Sequence, residues 1–252
     1  VSEESTTRLR HVEDAMGTVF SFDVRGPEAG TPRSRAALEA AVASLHRADE
    51  VFSAYRSDSQ LSRLVRGDLG LADCDPEVRE VLTLCDDAER LTDGWFSARY
   101  AGPLDPTGLV KGWAVERAAR MMASAGADAV CLNGGGDIQL LGGPWRVGIA
   151  HPLRPGELAT VVEAASGELA IATSGSAERG CHILDPRTGM PPESVLASIT
   201  VVSRSLTDAD TWATAAFAMG DRARDWLERL PGAEAFAVTA DGATWQTTGF
   251  GR

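Results

Sequence analysis

His182-Ile183-Leu184-Asp185-Pro186-Arg187-Thr188-Gly189 gathers a base, an acid, a cation and a hydroxyl into one short stretch. Histidine titrates near neutral pH, with an ordinary pKa of ~6.5, so it is suited to take or give a proton. The stretch reads as a short strand in which the apolar residues pack and His182 faces out, ended by an Asp-Pro turn. A hairpin whose polar residues only satisfy turn backbone would use the same letters.

Asp210 and Thr214 stand four apart in Thr207-Asp208-Ala209-Asp210-Thr211-Trp212-Ala213-Thr214, which on a helix puts them side by side. A carboxylate and a hydroxyl are a plausible part of a Mg²⁺ oxygen shell, the rest coming from waters and phosphates. Thr207 with Asp210 also spells a capping box, so the acid could simply cap the helix. Asn133-Gly134-Gly135-Gly136-Asp137 would let backbone N–H groups approach a phosphate or a ring. The GxGxxG spacing is absent and a strand follows, so this is no dinucleotide fingerprint; a tight strand connection is the other reading. Asp105-Pro106-Thr107-Gly108, ahead of a helix carrying Lys111, offers an acid, carbonyls and a cation where anions are stabilised. Thr173-Ser174-Gly175 adds hydroxyls at a strand end.

The elements that must hold these residues follow from periodicity. Alternation over Val19–Val24 predicts a strand entered through Met16-Gly17-Thr18. Apolar residues at helical spacing predict helices over Ser34–Phe52, Ser59–Val65, Pro76–Leu91 and from Leu109 to Gly126. Strands are predicted at Ala129–Leu132, Ile138–Leu141, Trp145–Ile149, Ala159–Ala164, Glu168–Ala172 and Ser198–Val202. Helices over Asp208–Met219 and Asp221–Leu230 precede a terminal hairpin turning at Asp241-Gly242. Residues 1–11 read as a flexible arm.

The 252 residues, 44% hydrophobic and 24% charged, can bury a substantial core as one domain. A net charge of -12 argues against nucleic acid as a partner while leaving room for a small phosphorylated ligand. No apolar run reaches the roughly 18 residues of a membrane span. Val1-Ser2-Glu3-Glu4 lacks the basic and apolar regions of a signal peptide, and a cleaved export signal would leave no trace in these letters. Cys74, Cys85, Cys131 and Cys181 form no Cys-x-x-Cys pair and lack zinc-site spacing with the four histidines, so reduced thiols in a cytoplasmic protein are expected.

Taken in order, the segments resemble the ApbE family of flavin transferases. The matching pieces are Met16-Gly17-Thr18; Phe52-Ser53-Ala54-Tyr55-Arg56 with Ser59-Gln60-Leu61-Ser62; and Asp105-x-x-Gly108-Leu-Val-Lys111-Gly112. Further along come Asn133-Gly-Gly-Gly-Asp137-Ile138; Ala172-Thr173-Ser174-Gly175; His182-Ile-Leu-Asp185-Pro-x-Thr188-Gly189; and Ala209-Asp210-x-x-x-Thr214 ending in Met219-Gly220. The resemblance runs from about residue 12 to residue 248. It implies a single compact α+β domain with a mixed or antiparallel sheet and flanking helices. It also implies Mg²⁺-dependent transfer of FMN from FAD to a Ser or Thr hydroxyl of an acceptor protein, with release of AMP. Mapped by motif, Gly108 (through its carbonyl), Asp210 and Thr214 would hold Mg²⁺, and His182 would be the base. Met16, Tyr55, Trp95, Phe96, Ser97, Asp105, Lys111, Gly135, Asp137, Ser174 and His182 would line the FAD site. Where the family has Gly-x-Phe-Asp-Pro-Thr, this chain reads Gly94-Trp95-Phe96-Ser97-Ala98-Arg99. The alternatives are an FAD pyrophosphatase giving FMN and AMP, with water as acceptor, and an FAD-binding protein without turnover. Retention of His182, Asp210 and Thr214 together speaks against the second.

Overall fold

Met16 and Gly17 turn the chain through positive φ, 51° and 70°, the twist that suits a two-residue loop between antiparallel strands. The strands it joins are β1 (Arg8–Ala15) and β2 (Thr18–Arg25), paired from Ala15↔Thr18 to Arg8↔Arg25. The computed structural model describes residues 7–100, 102–175, 183–192 and 195–251. Within the arm expected over residues 1–11, the chain is paired strand from Arg8 onward, and residues 1–6 lie outside the described residues. Leu9 and Ala15 face inward while Arg8, Arg10, Val12 and Asp14 are exposed, a period of two that the density of charge hides in the sequence.

The helices fall close to where periodicity places them. α1 (Pro32–Phe52) starts at Thr31, whose hydroxyl accepts from Ser34 N, and buries Ala41, Leu45, Ala48, Val51 and Phe52. α2 (Gln60–Arg66) is capped by Ser59 and stops at Gly67, which turns left-handed at φ 79°. α3 (Pro76–Leu91) and α4 (Thr107–Ser124) follow, the latter burying both faces near Trp113 and Val115. α5 (Leu206–Met219) buries most of its length, and the segment expected as a helix over 221–230 is shorter: a 3₁₀ turn, then α6 (Ala223–Leu227).

The remaining strands are β3 (Ala129–Gly134), β4 (Asp137–Leu141), β5 (Trp145–Ala150), β6 (Leu158–Ala164), β7 (Glu168–Gly175), β8 (Leu196–Ser203), β9 (Glu234–Thr239) and β10 (Thr244–Gln246). Eight of the strands form one sheet, ordered β1-β2-β3-β4-β7-β8-β9-β10 and antiparallel at every described pairing; β5 and β6 form a separate ribbon. His182 and Cys181 lie outside the described residues, and Ile183 and Leu184 are not strand, although Ile183 is buried as expected. The Asp185-Pro186 turn is present: Asp185 O accepts from Gly189 N at 2.8 Å and its side chain from Arg187 N at 2.8 Å.

The sheet's two faces differ in bulk. Ala170, Ala172, Ala235 and Ala237 face the main core with α1, α4 and α5. Ile171, Val202, Phe236 and Val238 face a second core with Trp145, Ile149 and Val162 of the ribbon. Alanines on the helix side let α5, itself rich in alanine, lie close on β7 and β8. α4 and α5 lie in close contact at Gly112, where an added Cβ would sit 2.7 Å from Leu206 O and 2.9 Å from Asp210 Cβ. Gly112→Ala must therefore push the helices apart. It should cost about 1–3 kcal/mol through overpacking, read as a lower midpoint in denaturant titration.

Candidate active site at the start of helix α4

Asp105 sets the entry to α4. Its Oδ1 accepts from Thr107 N at 3.0 Å and from the Thr107 hydroxyl at 2.6 Å, and its own N–H is given to Ala98 O at 2.7 Å. One turn on, Lys111 forms an ion pair with Asp137, whose carboxylate is almost fully buried. Asp137 Oδ1 accepts from Thr173 N at 3.2 Å, and the Thr173 hydroxyl lies 2.8 Å from that of Thr200. The start of β4, the end of β7 and the start of α4 are thus tied by one buried charge pair, whose partners also satisfy each other's hydrogen-bonding capacity. Ser174 is buried beside this network.

Asp210 is the second buried carboxylate, and its Oδ2 accepts from Gly112 N at 3.1 Å. The capping box expected from Thr207 and Asp210 is corrected here. Ser205 is the N-cap of α5, accepting from Asp208 N, and Asp210 points across to α4 instead. The N-terminal turn of α5 is further held by Glu116, whose Oε2 accepts from Ser205 Oγ (2.9 Å), Thr207 N (3.0 Å) and Thr207 Oγ1 (2.9 Å). Contacts of Glu116 with residues 205–207 and of Gly112 with 206 and 210 make α4 and α5 antiparallel neighbours. Thr214, one turn beyond Asp210 on α5, is half-buried.

Among the described residues no group of three or more His, Cys, Asp and Glu side chains could hold a metal ion. The donor set that the family resemblance implies is of another kind: the buried carboxylate of Asp210, the hydroxyl of Thr214 and the carbonyl of Gly108. These are hard oxygen donors, and so few of them suit Mg²⁺, which keeps several waters and takes the rest from phosphates. By type these donors fit the ion.

The loop at Trp95 closes one side. Arg187 lies over the Trp95 ring at 4.1 Å and donates to Asp93 O and Oδ2 at 3.4 and 3.3 Å. Phe96 is buried and its N–H is held by Thr92 Oγ1 at 3.0 Å; a Cβ on Gly108 would meet Phe96 Cε2 at 3.4 Å. Ser97 Oγ accepts from Arg99 N at 3.1 Å, a local turn bond that the family's aspartate could also make at this place. Ile183, the first described residue after His182, is buried in the main core, and the turn that follows it docks on Trp95.

Other expected residues stand apart. Gly135 and Gly136 form a two-residue turn with φ 60° and 96°, and the N–H groups of that turn are engaged by Val19 O (3.2 Å) and Asn133 Oδ1 (2.9 Å). The glycine stretch is thus a tight hairpin that delivers Asp137, and Gly135 has no side-chain room because Thr18 Oγ1 would lie 2.6 Å from its Cβ. Met16 is half-buried against the main core at the β1–β2 turn. Tyr55 is fully exposed on the α1–α2 loop, beside a cleft of about 260 Å³ lined by Arg47, Arg56, Asp58 and Arg63. Glu116 and Thr200 were not singled out in the sequence, because their partners lie far along the chain.

The ApbE family model matches residues 16–103 and 99–237. The chain belongs to the ApbE family. It is similar to the FAD:protein FMN transferase of Escherichia coli K12, 29% identical over 157 residues, covering 57% of this chain and 44% of that protein. With the Rhodobacter capsulatus protein of the same name it shares 32% identity over 215 residues, 79% of this chain and 38% of that one. The chain thus spans less than half the length of these curated relatives. Among solved structures, the ApbE protein of Thermotoga maritima superposes with a TM-score of 0.84 at 23% identity, covering 98% of this chain and all of that one. The flavinyl transferase ApbE of Pseudomonas stutzeri gives 0.81 at 24%, covering 98% and 97%. These likenesses establish the single α+β fold with its antiparallel sheet.

Glu116 gives a pH signature. Burial pushes its carboxyl up, but bonds from Thr207, Arg120 and Ser205 outweigh burial and hold it below its ordinary value of 4.5. A carboxyl depressed in this way stabilises the fold above the ordinary value, and the contribution is lost as pH falls through the lower folded value. Glu116→Gln should therefore lower stability at pH 7 by about 1.5–3 kcal/mol. The gap to the parent should close as pH is taken below 4.5, measured by thermal melting across pH.

Proposed function

We propose that this chain transfers FMN from FAD to a Ser or Thr hydroxyl of an acceptor protein and releases AMP. The observation that carries the reading is the convergence, on the first turns of α4, of the Lys111–Asp137–Thr173 network and the Asp210–Gly112 contact. That convergence gathers a cation, an oxygen donor set for Mg²⁺ and the Asp105 cap at one helix start, the place where a pyrophosphate is best received. The names of the relatives support the same reading.

In this proposal Gly108 O, Asp210 and Thr214 hold Mg²⁺, which when bound neutralises charge on the pyrophosphate. Asp137 holds the Lys111 ammonium at the start of α4, and Asp105 fixes the turn before it. Trp95, Phe96, Ser97, Met16, Tyr55 and Ser174 form the flavin and adenine surroundings. His182 accepts the proton of the acceptor hydroxyl as its oxygen bonds to the FMN phosphorus and the bond to AMP breaks. Cys74, Cys85 and Cys131 are free thiols, which fits a reducing, cytoplasmic setting. Among the described residues no helix is long and apolar enough to cross a membrane.

The test is incubation with FAD, Mg²⁺ and a candidate acceptor domain, reading intact acceptor mass beside released AMP. Mass gain matched by AMP supports transfer; AMP without mass gain is FAD hydrolysis. His182→Ala should lower transfer by roughly 10²–10⁴-fold with FAD affinity and melting temperature nearly unchanged. A turn histidine would give lower stability and unchanged transfer per folded molecule. Asp210→Ala should weaken Mg²⁺ binding more than Thr214→Val, because a charged ligand is lost and not a neutral one. Parent rates in both variants under limiting Mg²⁺ would remove the metal assignment.

A further inference from the structure

β1 is the edge of the eight-stranded sheet, and among the described residues it pairs on one side only, with β2. The opposite edge, β10, has three residues; β1 has eight. A two-residue turn closes on a hydrogen-bonded pair, here Ala15 and Thr18, so Leu9, His11, Glu13 and Ala15 send their backbone groups to β2. The bond from Gly26 N to Thr7 O at 3.1 Å has the same parity. The N–H and C=O groups of Arg8, Arg10, Val12 and Asp14 therefore point away from the sheet. Such an edge is a template for another strand.

The charges on this edge name the partner. Arg10 and Asp14 are exposed, and neither makes an ion pair among the described residues. They flank Val12, 63% exposed, on the face where Val19, 51% exposed, also lies next to Asp14. Antiparallel pairing with a second copy about a two-fold axis at Val12 sets Arg10 opposite Asp14 twice and Val12 opposite Val12. On the other face it sets His11 opposite Glu13 and Leu9 opposite Ala15. Moving the axis to residue 11 puts Leu9 opposite Glu13, and moving it to residue 13 puts Glu13 opposite Glu13. Only the Val12 register matches charge with charge and apolar with apolar.

We propose that β1 is a homodimer edge, joining two copies through antiparallel β1–β1 pairing about Val12. The contact is isologous, as a two-fold interface must be. It also brings Arg8 of each copy level with the Met16 turn of the other. One strand pair and its flanks make a small interface, so association is concentration-dependent over about 1–100 µM.

Sedimentation velocity over that range tests it, with thermal melting to confirm folding. The parent should pass from monomer to dimer. Arg10→Glu and Asp14→Arg each place like charges opposite twice, and each should weaken association about tenfold or more. Mixing the two single variants should restore dimer, as should combining both changes in one chain, because opposite charges then face each other again. Val12→Pro removes an outward N–H without breaking a β1–β2 bond and should leave a folded monomer. A parent that stays monomeric throughout overturns the proposal. So does a dimer indifferent to the single reversals, or a mixture of the two that fails to associate.

Discussion

The contact between Gly112 N–H and the buried carboxylate of Asp210 is the constraint on which the rest is arranged. A carboxylate taken out of water must be given donors, and a backbone N–H can serve only if no side chain separates the two helices. Glycine at 112 supplies that closeness, and the alanines of β7 and β9 let the helix pair sit low on the sheet. Glu116, one turn along α4, then satisfies the orphan N-terminal groups of α5. Two acids of different helices thereby exchange services, each bonding to the other helix's backbone or cap.

The electrostatics of the site are local. The chain is strongly acidic, at -12, yet its proposed substrate carries phosphates. What makes this compatible is the short range of exposed charges in salt solution against the strength of buried ones. Lys111 is held by Asp137, and Asp137 is held in turn by Thr173, so the ammonium is positioned by its partner. Arg187 over Trp95 ties the segment after His182 to the same end of the molecule.

Much of this architecture could be read from the letters. α3 begins at Pro76 and ends at Leu91, the span that its proline and apolar spacing indicate. The hairpin at Asp241-Gly242 and the all-buried β8 were equally plain. β1 was not, because Arg8-Leu9-Arg10-His11 carries charge on the exposed side and too few apolar residues to show alternation. The role of Asp210 was ambiguous for a different reason: it stands three residues after Thr207, as a capping box requires, and four before Thr214, and only the position of α4 shows that its carboxylate is turned to Gly112 and away from its own helix start. The letters of the glycine stretch allowed either a loop open to a ligand or a tight strand connection, and its turn N–H groups, given to Val19 and Asn133, make it the connection. Local patterns fix elements; which long-range neighbour a polar group meets depends on packing that no window contains.

The turn at Met16 carries a consequence for engineering. A residue with a side chain held at φ 51° costs roughly 1–2 kcal/mol that asparagine or glycine would largely avoid. Met16 is nonetheless half-buried against the core. A stability-guided redesign would replace it first, and would gain thermal tolerance by removing the one side chain that this hairpin tip presents to its surroundings. In the proposed reading, in which Met16 borders the flavin, position 16 is where selection for robustness and selection for use pull in opposite directions.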